Sequence, residues 1–337
     1  MTPRAAEKAD FLRRAGWAAA ESGHLAGDAS ARSYERLRLG DRTAVLMDSP
    51  PGPGDDTADF LRIGAHLAGL GLSPPPGLDG EPDRGLLLLE DLGGPPLTTG
   101  PGEDPSLEAP LYAAAVDVLL ALQDHPPPGG LPDLTARDWA GAAGFAPGFY
   151  AAAATGQSRE TERYTEALTR ALQAHADAAR MLILRDYHAG NLLWLPGRKG
   201  AARVGLLDFQ QGQLGQPGYD LVSLLQDARR DVAPGTEAAG LARFAAGKGV
   251  TAQEMAAGYA VLGAQRALRS IGIFARLCLV SGKPGYVALI PRVWGQLMRN
   301  LAHPALAELR HECLAILPEP TEDTLTRITA KCATPCP

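Results

Sequence analysis

Apolar positions recur at two different periods along this chain, and the switches between them divide it. Over residues 4–22, Phe11, Leu12, Ala15 and Ala18 share one face and Gly23 follows, which predicts a helix closed by that glycine. Residues 34–39 and 43–48 then read as two strands joined at Gly40-Asp41, a pair with the turn chemistry of a hairpin. A Pro/Gly cluster at residues 50–54 ends the pair. Helical spacing returns with Phe60, Ile63, Leu67 and Leu70, predicting a helix over residues 56–70 that Pro74, Pro75 and Pro76 close. Leu86-Leu87-Leu88-Leu89 predicts a short buried strand, which opens into Glu90-Asp91-Leu92-Gly93-Gly94-Pro95-Pro96. Further helices are expected near residues 107–123, 161–178, 219–229, 251–278 and 286–302. Between them, short apolar runs in residues 181–209 flank Pro196-Gly197-Arg198-Lys199-Gly200 and predict a second hairpin.

This order predicts an α+β, bilobal fold: a small antiparallel-sheet N-lobe at residues 1–92, a hinge at 93–96 and a larger, mainly helical C-lobe at 97–337. With 337 residues the chain can bury a full core. Its 45% hydrophobic and 21% charged residues are those of a globular protein, and a formal net charge of -6 gives no reason to expect nucleic-acid binding. Cys278, Cys313, Cys332 and Cys336 lack the companions of a zinc site, so a reducing, cytoplasmic setting is expected. The first 17 residues are too charged for a signal peptide, and no uninterrupted run of 18 apolar residues occurs, so no membrane span is expected. No obligate protein partner is evident.

The candidate chemistry sits in the second hairpin. Arg185-Asp186-Tyr187-His188-Ala189-Gly190-Asn191 is followed by Leu207-Asp208-Phe209. Phosphoryl transfer from ATP needs a carboxylate to meet the attacking hydroxyl, and an amide and a second carboxylate to hold Mg²⁺ against the phosphates. Asp186 is the candidate base, and Asn191 and Asp208 are the candidate metal ligands. Mg²⁺ takes few protein oxygens and completes its shell with phosphate and water. A single Asp after an apolar strand commonly starts a turn. All three residues together, between a strand-rich and a helical lobe, point to a protein-kinase-like phosphotransferase.

That stretch resembles the catalytic core of the aminoglycoside phosphotransferase-like branch of the protein-kinase fold, with Asp186, His188, Asn191 and Asp208 matching position by position. Leu184 departs from it, because another residue, often His, usually stands there. Residues 27–34, 44–51, 208–210 and 219–229, with Gln265-Arg266 and residues 272–276, resemble a narrower family: the anomeric N-acetylmuramate/N-acetylglucosamine kinases of bacterial cell-wall recycling. This resemblance covers about residues 25–300 and implies ATP-dependent phosphorylation of the anomeric hydroxyl of a free amino sugar. It implies that Glu90, Asp91 and Leu92 pass the adenine, and that Asp220 braces the catalytic loop; by position alone Asp220 would cap the helix it begins. His188, Gln210, Asp227, Arg229, Arg266 and Arg276 are the candidates for the substrate side. His188 has a second reading, as a residue that pins the loop backbone.

One expected residue is missing. The strand that should present a Lys to the nucleotide phosphates reads Ala44-Val45-Leu46-Met47-Asp48, and no Lys lies between Lys8 and Lys199. Arg32, helped by Ser30 and local N–H groups, is the candidate replacement; the alternative is a solvated surface arginine. Residues 261–310 carry Arg266, Arg269, Arg276, Lys283, Arg292, Arg299 and Arg310 against Glu308 alone. Such a balance disfavours a polycationic aminoglycoside and suits a substrate with a carboxylate. The catalytic motif alone also permits a kinase for choline, homoserine or an antibiotic, and the missing Lys permits a non-catalytic pseudokinase binding module.

Overall fold

The computed structural model describes residues 2–25, 32–52, 57–99 and 104–333. Its first elements are α1 (Pro3–Arg14), β1 (Glu21–Leu25), β2 (Ser33–Leu39), β3 (Arg42–Asp48), α2 (Thr57–Gly69), β4 (Gly77–Glu81), β5 (Leu86–Glu90) and α3 (Pro105–Gln123). Next come α4 (Ala136–Ala143), α5 (Ala152–Thr155), α6 (Glu162–His175), β6 (Met181–Ile183), β7 (Leu192–Trp194), β8 (Val204–Leu206) and β9 (Gln213–Gly215). The chain ends in α7 (Tyr219–Leu225), α8 (Pro234–Gly247), α9 (Ala252–Ser281), α10 (Ile290–Leu301), α11 (Ala307–Ile316) and α12 (Glu322–Thr329). Two compact units form: Met1–Leu122 with Ala189–Gly212, and Gln123–His188 with Gln213–Pro337. The expected hinge at 93–96 lies inside the first unit, which continues through α3 and takes back the segment that holds β7 and β8.

The first unit is built on an antiparallel sheet in the order β1-β2-β3-β5-β4. The β2–β3 hairpin closes at Leu39↔Arg42, where Gly40 takes φ 59°, a value glycine adopts without a Cβ penalty. Alternate residues Ala44 and Leu46 of β3, with Leu86 and Leu88 of β5 and Leu37 of β2, bury against Phe11 of α1 and Trp17. Asp48, on the same face as Ala44 and Leu46 by the period of two, binds Arg4 at 2.5 Å and Lys8 at 3.5 Å. Lys8 also pairs with Glu35, so its ammonium is committed to this helix–sheet contact.

Three expectations change here. The helix expected over residues 4–22 stops at Arg14, and Gly16 (φ 77°) turns the chain towards β1. The edge strands β1 and β4 carry no apolar alternation and have the burial of solvent-facing edges; they are strands because β2 and β5 offer them hydrogen bonds. The second hairpin is narrower than residues 181–209: β7 pairs with β8 through Leu192↔Leu206, whereas β6 pairs with β9 in the other unit. α3, interrupted by Glu108 and Asp117, reaches a mean hydropathy of 1.3 over an 18-residue window. By length and composition it alone among the described helices could cross a membrane. Buried Leu111, Tyr112, Val116 and Leu119 explain that composition as core packing.

The second unit is helical around the 30-residue α9. Thr251 and Glu254 form a reciprocal capping box at its start and left-handed Gly282 ends it. Gly272 lets the π-helical turn after Phe145 approach α9, because a Cβ there would lie 2.1 Å from the Phe145 carbonyl carbon. α4, α5, α8, α11 and α12 are helices the periodicity did not predict. Cys278, Cys313 and Cys332 are free thiols, and Cys336 lies outside the described residues.

Candidate active site

In the second unit, the candidate base sits on a loop fixed through its backbone. β6 ends at Ile183, and the next two N–H groups, of Leu184 and Arg185, donate to the two oxygens of Asp220 at 2.6 and 2.9 Å. Gly218 precedes α7, so Asp220 occupies the second helical position and caps this loop instead of its own helix. Leu184 contributes to this support through its backbone, whatever its side chain. Arg185 adopts φ 70°, and its carbonyl accepts from Ser223 Oγ at 3.4 Å and Arg266 Nη1 at 3.5 Å. Asp186 follows on this pinned segment, with its N–H on the Leu184 carbonyl and its carbonyl accepting the His188 N–H.

Burial pushes the Asp220 carboxyl up to about 6, against the pull of the two loop N–H groups and Arg266. An unfolded Asp titrates near 3.9, so the native state takes up this proton first, and acid between about pH 6 and 4 relieves the cost of the buried charge. Protonation also removes an acceptor from the loop. We expect kcat to fall on acidification with an apparent pKa near 6 while urea unfolding shows no loss of stability from this group. In Asp220→Asn, kcat–pH profiles should lack that limb and start from a lower plateau.

His188 is buried, and its Nε2 lies 3.2 Å from Arg229 Nη1. A guanidinium only donates, so Nε2 accepts and the imidazole is neutral. Burial lowers its pKa, opposed by Asp227 and Asp186 and reinforced by Arg229 and Arg266. Asp227, itself buried, accepts the Arg229 N–H at 2.8 Å, and Gln296 Nε2 donates to the Asp227 carbonyl at 3.0 Å.

In the first unit, the β7–β8 ladder carries the candidate metal ligands. Asn191 closes the helical turn Ala189–Asn191, and its carbonyl accepts the Leu207 N–H at 3.0 Å, so Asn191 and Asp208 emerge from the same end of the hairpin. Asp208 takes φ 55° and keeps its side chain 47% exposed. Its Oδ1 accepts from Gln210 Nε2 at 2.8 Å and lies 3.8 Å from Arg32 Nη1. Phe209 anchors the segment by stacking on Phe60 of α2, with ring centroids 4.9 Å apart. Arg32 is buried and donates to Tyr34 Oη at 3.0 Å, which removes the solvated-surface reading for it. Ser30 lies outside the described residues. At the end of β5, Glu90 binds Arg198 at 3.3 Å and Asp91 binds Arg36 at 2.9 Å, so both of these side chains are engaged with arginines.

Residues 24–260 match the model of the phosphotransferase enzyme family. The chain belongs to that family. A relative from Caulobacter vibrioides, named N-acetylmuramate/N-acetylglucosamine kinase, is 39% identical and the match spans 91% of this chain and 95% of that protein. A protein of the same name from Pseudomonas aeruginosa is 33% identical over 88% of each chain. Among solved structures, an aminoglycoside phosphotransferase with ADP bound superposes with a TM-score of 0.57 at 14% identity, covering 92% of this chain and 99% of that one. The fold class is therefore α+β and protein-kinase-like, as the residue pattern implied, and the protein is an enzyme of phosphoryl transfer.

Within this phosphotransferase the second unit gathers His188, Asp227, Arg229 and Arg266 around the Asp186 loop, but not Arg276. That residue is exposed on α9, ten residues past Arg266 and so about 15 Å further along the axis. Arg269, part of the basic segment but not of the substrate-side candidates, also comes near the loop: burial holds it below its usual pKa among Tyr219, Arg185, Arg266 and Asp186. Its place three residues after Arg266 was the available signal, since such positions share a helix face. Gln210, expected on the substrate side, is bonded to Asp208.

Proposed function

We propose that this enzyme transfers the γ-phosphoryl group of ATP to the anomeric hydroxyl of N-acetylmuramate and N-acetylglucosamine, acting in the cytoplasm in peptidoglycan recycling. The observation that carries this reading is the 39% identity, across nearly the whole of both chains, to a kinase named for those sugars. Asp186 orients the sugar hydroxyl and accepts its proton, and the backbone pinned by Asp220 holds that carboxylate in place. Asn191 and Asp208 would hold Mg²⁺: both offer hard oxygens, and the half-exposed Asp208 carboxylate leaves room for the phosphate and water a magnesium ion retains. Bound there, the ion would neutralise charge on the transferring phosphates. Arg32 supplies the fixed cation on the nucleotide side, and residues 90–92 offer backbone groups to the adenine.

ADP release should be measured with N-acetylmuramate, N-acetylglucosamine, kanamycin and choline. Turnover is expected with the two acetylated sugars, giving products that hydrolyse in mild acid, as an anomeric phosphate does and a 6-phosphate does not. Acid-stable products, or turnover with kanamycin or choline alone, would replace this assignment.

A further inference from the structure

Arg229 differs from the other arginines of the second unit in what surrounds it. Arg292 is held by Asp231 at 2.7 Å and Arg299 by Glu237 at 2.9 Å. Those two line a depression of about 430 Å³ with Leu225, Asp231 and Gln296, so the cations there are already neutralised. Arg266 lies on the Arg185 carbonyl and over the Tyr219 ring. Arg276 and Arg310 stand exposed on helices remote in sequence from the loop. Arg229 is exposed as well, yet it is fixed at two points: its N–H by the buried Asp227 and its guanidinium by the buried His188. Among the described residues no carboxylate is paired with that guanidinium. The group against that guanidinium is a neutral ring, two residues after Asp186.

A guanidinium with no carboxylate paired to it, held against a residue two positions after the candidate base Asp186, is suited to a planar anion on the acceptor. N-acetylmuramate and N-acetylglucosamine differ by one such group, the lactyl carboxylate. Building on the amino-sugar reading above, we propose that Arg229, positioned by His188, is the specificity-determining residue that binds this carboxylate. His188 acts through Arg229 and is a positioning residue. Its neutral Nε2 accepts without competing for the anion, which an Asp or Glu in its place would do.

The test compares kcat/KM for the two sugars in the wild type, Arg229→Gln, Arg229→Lys, His188→Gln and His188→Phe, each checked for folding by circular dichroism. A hydrogen bond to a charged group contributes enough to make the expected loss for N-acetylmuramate in Arg229→Gln about 10- to 100-fold greater than for N-acetylglucosamine. Arg229→Lys should recover part of that ratio. His188→Gln, which keeps an acceptor, should shift it less than His188→Phe. The wild type should lose the same factor when offered the methyl ester of N-acetylmuramate, and Arg229→Gln should not distinguish acid from ester. Equal losses for both sugars, or a wild type indifferent to esterification, overturn the assignment. A wild type inactive on both sugars overturns the proposed function itself and this assignment with it.

Discussion

Replacing Asp186 with Asn is expected to lower kcat by about 10² to 10⁴, the range for loss of a general base, with ATP affinity close to that of the wild type. The substitution is nearly isosteric, and the loop conformation has anchors in its own backbone. Those anchors are the Leu184 and Arg185 N–H groups, received by the Asp220 oxygens, and the contacts to the Arg185 carbonyl. Steady-state kinetics should therefore show an effect confined to turnover, with calorimetry reporting an unaltered nucleotide site. Wild-type activity in this variant would remove Asp186 from the mechanism.

Asp208→Asn should give the opposite signature. Asn is among the few residues that adopt the φ of 55° found here without much strain, so the backbone and the Phe209–Phe60 stack should persist. What is lost is the charge facing Arg32, which on the proposed assignment also holds the metal. Loss of an outer partner of a metal site costs roughly 10–100-fold in metal affinity, and loss of a ligand should cost more. The Mg²⁺ concentration for half-maximal rate is accordingly expected to rise by more than that factor, measured by titrating Mg²⁺ at fixed ATP. In Asp186→Asn the same titration should match the wild type. Identical Mg²⁺ curves for Asp208→Asn and the wild type would exclude Asp208 as a ligand.

The parts of the fold that were legible are those where side chains encode the backbone. Gly40-Asp41 announced the β2–β3 turn and the leucines at 86–89 announced β5, and the spacing of Asp186, Asn191 and Asp208 pointed to phosphoryl transfer, the chemistry of the family the chain matches. β1 and β4 were not legible, since Glu21-Ser22-Gly23-His24-Leu25 and Gly77-Leu78-Asp79-Gly80-Glu81 have no strand pattern and owe their conformation to a neighbour's unpaired edge. Asp220 shows the same limit at the site. Its position predicted a helix cap, but the groups it satisfies lie 36 and 35 residues earlier, a pairing no local pattern contains. Arg229 and Arg276 looked equivalent in sequence; helix geometry carries one away from the loop, and a histidine fixes the other beside it.

The first unit holds its helix–sheet contact with Lys8, bound to Asp48 and Glu35, and offers no other lysine until Lys199. Covalent nucleotide reagents that capture kinases by acylating an amine next to the phosphates rely on a nucleophile that arginine, protonated at all ordinary pH values, does not provide. With Arg32 in the place of a lysine there, as proposed above, a chemical-proteomic survey built on such probes is expected to pass over this enzyme, and a reagent directed at guanidinium groups is the one expected to find it.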